Sequence, residues 1–265
     1  MIPRRQGRAG VLVRWLNDGL HRGRSAAVRL VLPPRCVQCD RDLHEQTVAP
    51  LLCSGCRTLF TEQDALRCRR CGATVPETGT VIESCAWCKA TQPQFDSVLP
   101  LATYKGGLRE AVLRMKHPAG EPLTLALGRL LGQQHRSNLA AMDLQIVAPI
   151  PMYWLRRLAR GTNSSEVLAD CLARELGVPL ARRLLFRNRN TRPQKDLTPL
   201  QRFENVKDAF GLRAGYDLQG ARVLLVDDIL TTGATCSAAA AALKKAGATT
   251  VAIAVLARAQ GSQSR

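Results

Sequence analysis

Arg222-Val223-Leu224-Leu225-Val226-Asp227-Asp228-Ile229-Leu230-Thr231-Thr232-Gly233-Ala234-Thr235 is the stretch that decides the fold. Residues 223–226 are all β-branched or aliphatic, the pattern of a strand buried on both faces. Two carboxylates stand at the strand tip, and a Thr/Gly turn follows. Residues 236–245 are alanine-rich and stop before Gly247, as a helix does. Residues 250–256 form a second aliphatic run. Strand, polar turn, helix, strand is one βαβ unit and predicts an α/β domain with a parallel sheet.

The turn has a chemistry of its own. The first N–H groups of a helix have no partner within it, and the helix dipole adds partial positive charge there. Phosphate groups bind at such ends. Gly233 allows close backbone approach, and Thr231, Thr232 and Thr235 can add hydroxyl donors. The stretch is neither a Walker A loop nor G-x-G-x-x-G. Adjacent acids at a strand tip suit a ribose diol, or Mg2+ held with water. The plainer alternative is a helix cap at the threonines, with Asp227 and Asp228 in solvent.

Upstream lies a different kind of segment. Eight of the 10 cysteines fall between residues 36 and 88, as Cys36-x2-Cys39, Cys53-x2-Cys56, Cys68-x2-Cys71 and Cys85-x2-Cys88. Adding 32 to each of the first four numbers gives the second four, so the framework is duplicated. Two thiolates on one tight turn can occupy two corners of a zinc tetrahedron, and a second turn fills the other two. Four thiolates leave no open position, so such a site is structural and supplies folding energy to a small unit. Two Zn2+ per chain are expected, with sequential groups favoured over interleaved ones. Four disulfides, redox pairs and an iron–sulfur cluster are the alternatives. Cys171 and Cys236 read as core residues, His44 as solvated, and Trp87 as packed over the metal turn.

The 265 residues carry 38 Lys+Arg against 21 Asp+Glu, a net charge of +17, and 46% are hydrophobic. That length buries a core without disulfide staples, and the composition argues against global disorder. Aromatics at 4% disfavour base stacking as the chain's main business. No apolar stretch reaches the ~18 residues of a membrane span. The charge is uneven. Residues 1–35 hold eight Arg and one acid, and read as a basic extension rather than a secretory signal or targeting helix. Between Arg182 and Arg202 stand seven basic residues and one acid, with Arg187, Arg189, Arg192 and Lys195 around a loop marked by Asn and Pro. Such a run suits nucleic-acid phosphates, a closing loop over a polyphosphate ligand, or a solvated face.

Residues 223–235 resemble the phosphoribosyl-pyrophosphate (PRPP) motif of type I phosphoribosyltransferases. Tyr104-Lys105-Gly106-Gly107-Leu108-Arg109 with Leu113-Arg114-Met115-Lys116-His117 is similar to a segment of the competence protein F (ComF/GntX) family. So are residues 146–152, the Thr191-x2-Gln194-x2-Leu197 run, Arg202-x2-Asn205-Val206 and Ala209-Phe210. Arg160-Gly161-Thr162-Asn163-Ser164-Ser165-Glu166 matches that family's RGFNQ-x-E only in part, with Thr162 and Ser164 replacing Phe and Gln. The resemblance implies a twisted parallel sheet with helices on both faces, after a double zinc ribbon. Three regions follow: 1–35 a basic extension, 36–92 the ribbons, and 95–260 the phosphoribosyltransferase domain. It implies that Asp227 and Asp228 bind ribose hydroxyls, directly or through Mg2+. Thr231, Thr232, Gly233, Ala234 and Thr235 would hold the 5′-phosphate, and Pro151, Met152, Arg156 and Arg157 would face the pyrophosphate. The implied partners are PRPP or a related phosphoribosyl ligand, single-stranded DNA, and a competence helicase or other uptake protein, in the cytoplasm. PRPP-dependent transfer or PRPP sensing are the competing functions.

Overall fold

The computed structural model describes residues 33–43, 51–61, 66–75, 83–152, 163–189, 191 and 197–259. The basic segment before residue 33, His44, and the stretches holding Arg156, Arg157, Arg192 and Lys195 lie outside the described residues. The chain divides into two compact units, 1–53 and 54–265.

In the first unit Arg35 and Asp42 form an antiparallel bridge. Within it, the Cys36 N–H donates to the Arg41 carbonyl and the Asp40 N–H to the Cys36 carbonyl, each at 2.8 Å. Asp40 closes this knuckle in the left-handed region, at φ 59°. The second unit contains the same knuckle 32 residues on. Arg67 bridges Thr74, Cys68 N–H donates to Ala73 O at 2.9 Å, and Gly72 N–H to Cys68 O at 2.8 Å. Gly72 takes φ 66°. The duplication, visible in sequence only as cysteines, is therefore a duplication of backbone hydrogen bonds.

The second unit begins with helices α1 (Ser54–Phe60) and α2 (Ala86–Thr91), whose starts are also 32 residues apart. There follow β1 (Ser97–Thr103), α3 (Gly106–Arg114), a 3-10 turn (Pro118–Gly120), α4 (Glu121–Gln134), α5 (Arg136–Ala141) and β2 (Ile146–Pro149). Next come α6 (Ser164–Leu176), β3 (Leu185–Arg187), α7 (Pro199–Val206), β4 (Phe210–Leu212), β5 (Arg222–Leu230), α8 (Ala234–Lys245) and β6 (Thr250–Arg258). The expected βαβ unit is thus β5–α8–β6. Strand β5 continues to Leu230, four residues past the aliphatic run, because β6 pairs with it through Arg258. The two acids sit within the strand rather than beyond it.

The main sheet has the order β1-β6-β5-β2, all parallel. Successive strand side chains point to opposite faces. Val223, Leu225, Val251, Ile253 and Val255 share one core cluster with Ala239, Ala240 and Leu243 of α8. Leu224, Val226, Ala252 and Ala254 are buried on the other face, where α6 contacts β5 and β2 and α4 contacts β1 and β6. Helices therefore cover both faces. Gly128 of α4 lets α6 come close: a Cβ there would stand 3.2 Å from Leu168 and from Cys171. Both Cys171 and Cys236 are buried, as small apolar residues are. Truncating a fully buried Leu such as Leu168 or Leu225 would cost about 2–5 kcal/mol. Strands β3 and β4 form a separate antiparallel pair, Arg187 opposite Phe210. Helix α7 starts at a capping box, Thr198 with Gln201. Among the described residues, no helix is long and apolar enough to cross a membrane.

Candidate functional site

A cleft of about 290 Å³ opens beyond the C-terminal ends of β5 and β2. Asp227 and Asp228, within the C-terminal part of β5, line it. Asp227 Oδ1 accepts hydrogen bonds from Ser165 Oγ and from the Asp228 N–H, each at 2.9 Å. Asp228 Oδ1 accepts from the Ile229 N–H at 2.8 Å, and its Oδ2 lies 3.5 Å from Lys116 Nζ. Burial, and then the charge of Asp228, push the Asp227 carboxyl up to about 7. The Ser165 hydroxyl, the Asp228 amide and Lys116 pull against that rise. Two carboxylates crowded into one cleft resist joint ionisation. A divalent cation, or the hydroxyl donors of a diol, relieves that strain, so the donor set fits Mg2+. The alternative of solvated acids is overturned: both are part-buried and engaged.

The turn after β5 divides its labour. Thr231 and Thr235 line the cleft. Thr232 turns the other way: its Oγ1 accepts from the Ala234 N–H at 3.4 Å, and its carbonyl accepts from Trp87 Nε1 at 3.3 Å. Gly233 caps α8 at φ 84°, and a Cβ there would meet Phe95 at 3.3 Å. Ala234 is buried. Trp87 was expected over the metal turn. Its indole N–H reaches the turn after β5, and its ring lies against Phe203 at 6.5 Å.

Pro151 and Met152 line the cleft beside Ile150, at the end of β2. The start of α6 adds Asn163, Ser164 and Ser165. Asn163 Oδ1 is buried with no hydrogen-bond partner among the described residues, so an acceptor there awaits a donor. Of the basic run, Arg187 lines the cleft with Thr191 and lies over the Phe210 ring at 5.3 Å. Arg189 does not line it; it is exposed and donates to the Lys207 carbonyl at 2.7 Å. Arg187 and Arg189, two residues apart, thus have different surroundings. Lys116, Asn163 and Ser165 are site residues that the sequence reading did not single out as such. Lys116 lies in the segment after Tyr104, and Ser165 in the partly matched stretch; neither spacing places it beside β5.

The eight ribbon cysteines gather sequentially. Cys36, Cys39, Cys53 and Cys56 have sulfurs within 4.8 Å of one another, and so do Cys68, Cys71, Cys85 and Cys88. Equivalent bonds recur: the Cys53 N–H donates to Cys36 Sγ, and the Cys85 N–H to Cys68 Sγ, both at 3.4 Å. In the second group hydrogen bonding from Cys88 holds the Cys71 thiol down at about 4 against its burial. Cys88 is raised, first by its bond to Cys71 and then by burial. Four crowded thiols cannot all ionise without a cation. Arg258 supplies a second sign. It is 3% exposed and pairs with no carboxylate among the described residues; its donors go to the carbonyls of Cys71, Leu230, Thr231 and Ala259. A buried charge needs compensation, and a zinc tetrathiolate, with two net negative charges, provides it. The donor set fits zinc.

The parallel sheet, the acidic strand tip and the paired thiol groups define a phosphoribosyltransferase-domain protein with a double zinc ribbon. The double zinc ribbon domain family matches residues 27–90, and the phosphoribosyl transferase domain family matches residues 162–265. The chain is 29% identical over 229 residues to competence protein F of Haemophilus influenzae, covering 85% of this chain and 97% of that one. It is 30% identical over 211 residues to DNA utilization protein YhgH of Salmonella typhi, covering 78% and 90%. It belongs to the competence protein F (ComF/GntX) family. The allosteric regulatory enzyme of purine biosynthesis is similar over 50% of this chain and 25% of that one, at 26% identity and a TM-score of 0.34; the fold assignment does not rest on that likeness.

Proposed function

We propose that the cleft binds PRPP or a related phosphoribosyl ligand together with Mg2+, and that the protein serves DNA utilization by handling single-stranded DNA. The observation that carries the reading is the meeting of Asp227 and Asp228 with the Thr231–Thr235 turn in one cleft. In this reading the carboxylates take the ribose hydroxyls, directly or through Mg2+. Thr231, Thr235 and the first amides of α8 take the 5′-phosphate. Pro151 and Met152, with Arg156 and Arg157, face the pyrophosphate, and Lys116 and Arg187 supply charge around it. Zinc in both thiol groups is structural. The family relatives are named for competence and DNA utilization, which favours a nucleic-acid role over free-standing nucleotide synthesis. The cations Arg189, Arg192 and Lys195 are then the strand contacts. A calorimetric titration with PRPP, with and without Mg2+, on the zinc-loaded protein tests the ligand half. Saturable, Mg2+-dependent binding is expected, and its absence refutes that half. Filter binding of labelled single strands tests the other.

A further inference from the structure

We infer that the second ribbon is a working part of the phosphate-binding turn, with Arg258 and Trp87 as the positioning residues that connect them. This rests on the reading that the cleft takes a phosphoribosyl ligand. A turn can offer N–H groups to an anion only if its carbonyls point elsewhere, since the two are opposed across each planar trans peptide. Here three successive carbonyls are held from behind. Arg258 donates through Nη1 to Leu230 O at 3.2 Å and also to Thr231 O. Trp87 donates to Thr232 O at 3.3 Å. Those are the carbonyl partners of the N–H groups of Thr231, Thr232 and Gly233, which have no hydrogen-bond acceptor among the described residues.

Both donors are anchored in the second ribbon. The Arg258 Nε donates to the Cys71 carbonyl at 2.8 Å, so one guanidinium bridges knuckle and turn. Trp87 stands between two thiols, Cys85 and Cys88, on α2. Two further contacts close the same junction. The Gln94 N–H donates to Ser237 Oγ in the first turns of α8 at 3.0 Å, and Phe95 lies behind Gly233. The turn's peptide planes are therefore oriented by groups whose own positions depend on the thiol cluster.

Two full-chain variants test this. Trp87→Phe keeps a ring against Phe203 and removes one N–H. Arg258→Lys keeps the charge and loses the planar fork that reaches several carbonyls. In both, metal analysis should still find the wild-type zinc content. Hydrogen exchange at the bonded amides within residues 229–236, Ile229 and Ala234 among them, should rise about tenfold, the size of one lost hydrogen bond, while residues 121–134 stay unchanged. The dissociation constant for PRPP with Mg2+ should rise about three- to tenfold. Unchanged exchange at 229–236 in Trp87→Phe overturns the inference, even if Arg258→Lys fails to fold. Faster exchange with unaltered PRPP affinity overturns its functional half. Failure of the wild-type protein to bind PRPP refutes the ligand reading instead, and exchange then still decides whether the ribbon holds the turn.

Discussion

Asp227→Asn should stabilise the free protein while disabling its site. The carboxyl is raised from an ordinary 3.8 to about 7. Each pH unit is worth ~1.4 kcal/mol, so ionising it in the fold costs at most ~4 kcal/mol. The group is only part-buried, and solvent in the open cleft screens it, so a gain of ~2 kcal/mol is expected. Asn keeps the acceptor used by Ser165 and by the Asp228 N–H. The sign follows from proton uptake. The folded acid holds its proton up to about pH 7, the unfolded one only to about pH 4, so wild-type stability falls as pH rises through that window. The Asn variant lacks this term. Urea melts should show it ahead by ~2 kcal/mol at pH 8, with more than half of the lead gone at about pH 4. Calorimetry should find PRPP binding lost. A variant less stable than wild type at pH 8, or a lead that ignores pH, would refute the account of a crowded carboxylate pair.

Other outcomes follow from the same geometry. Native mass spectrometry should find two Zn2+ per chain; one metal, or a disulfide-linked framework, contradicts the paired groups. Gly233→Ala must hold an L residue at φ 84° against Phe95, which should cost about 1–2 kcal/mol and weaken phosphoribosyl binding in the same titration. Replacing Arg189, Arg192 and Lys195 by Ala should lower single-strand affinity for every sequence alike and reduce the slope of log K against log salt by ~0.7 per contact. Arg187→Ala should instead weaken the phosphoribosyl ligand. An unchanged salt slope in the triple variant would remove nucleic acid from that loop.

The βαβ unit and the thiol groups were legible because their signals are local: aliphatic runs, a turn of special residues, a fixed spacing. Strand β1 was not, because Pro100 interrupts its pattern. The sheet tolerates that proline because β1 is an edge strand. Lys116 and Ser165 meet the acids only through tertiary folding; Ser165 is 62 residues from Asp227. The hydrogen bond of Trp87 was not legible, because its neighbours in sequence are thiols while its acceptor lies 145 residues away. The basic loop looked like one patch in sequence. Strand β3 ends at Arg187, so the period-two rule that would keep residues i and i+2 on one face no longer holds for Arg189, which does not line the cleft.

The two knuckles also differ in what they can exchange. At the left-handed corner the first repeat has Asp40 and the second Gly72. A Cβ at Gly72 would stand 3.1 Å from Val98 and 3.1 Å from Pro100, so the second corner presses bare backbone against β1. A chimera carrying the first repeat twice would retain every sulfur ligand and every turn hydrogen bond. It would still bring a carboxylate to an apolar strand that has room for no side chain. Kinship between the halves is written in their sulfurs, and their divergence in one missing β-carbon.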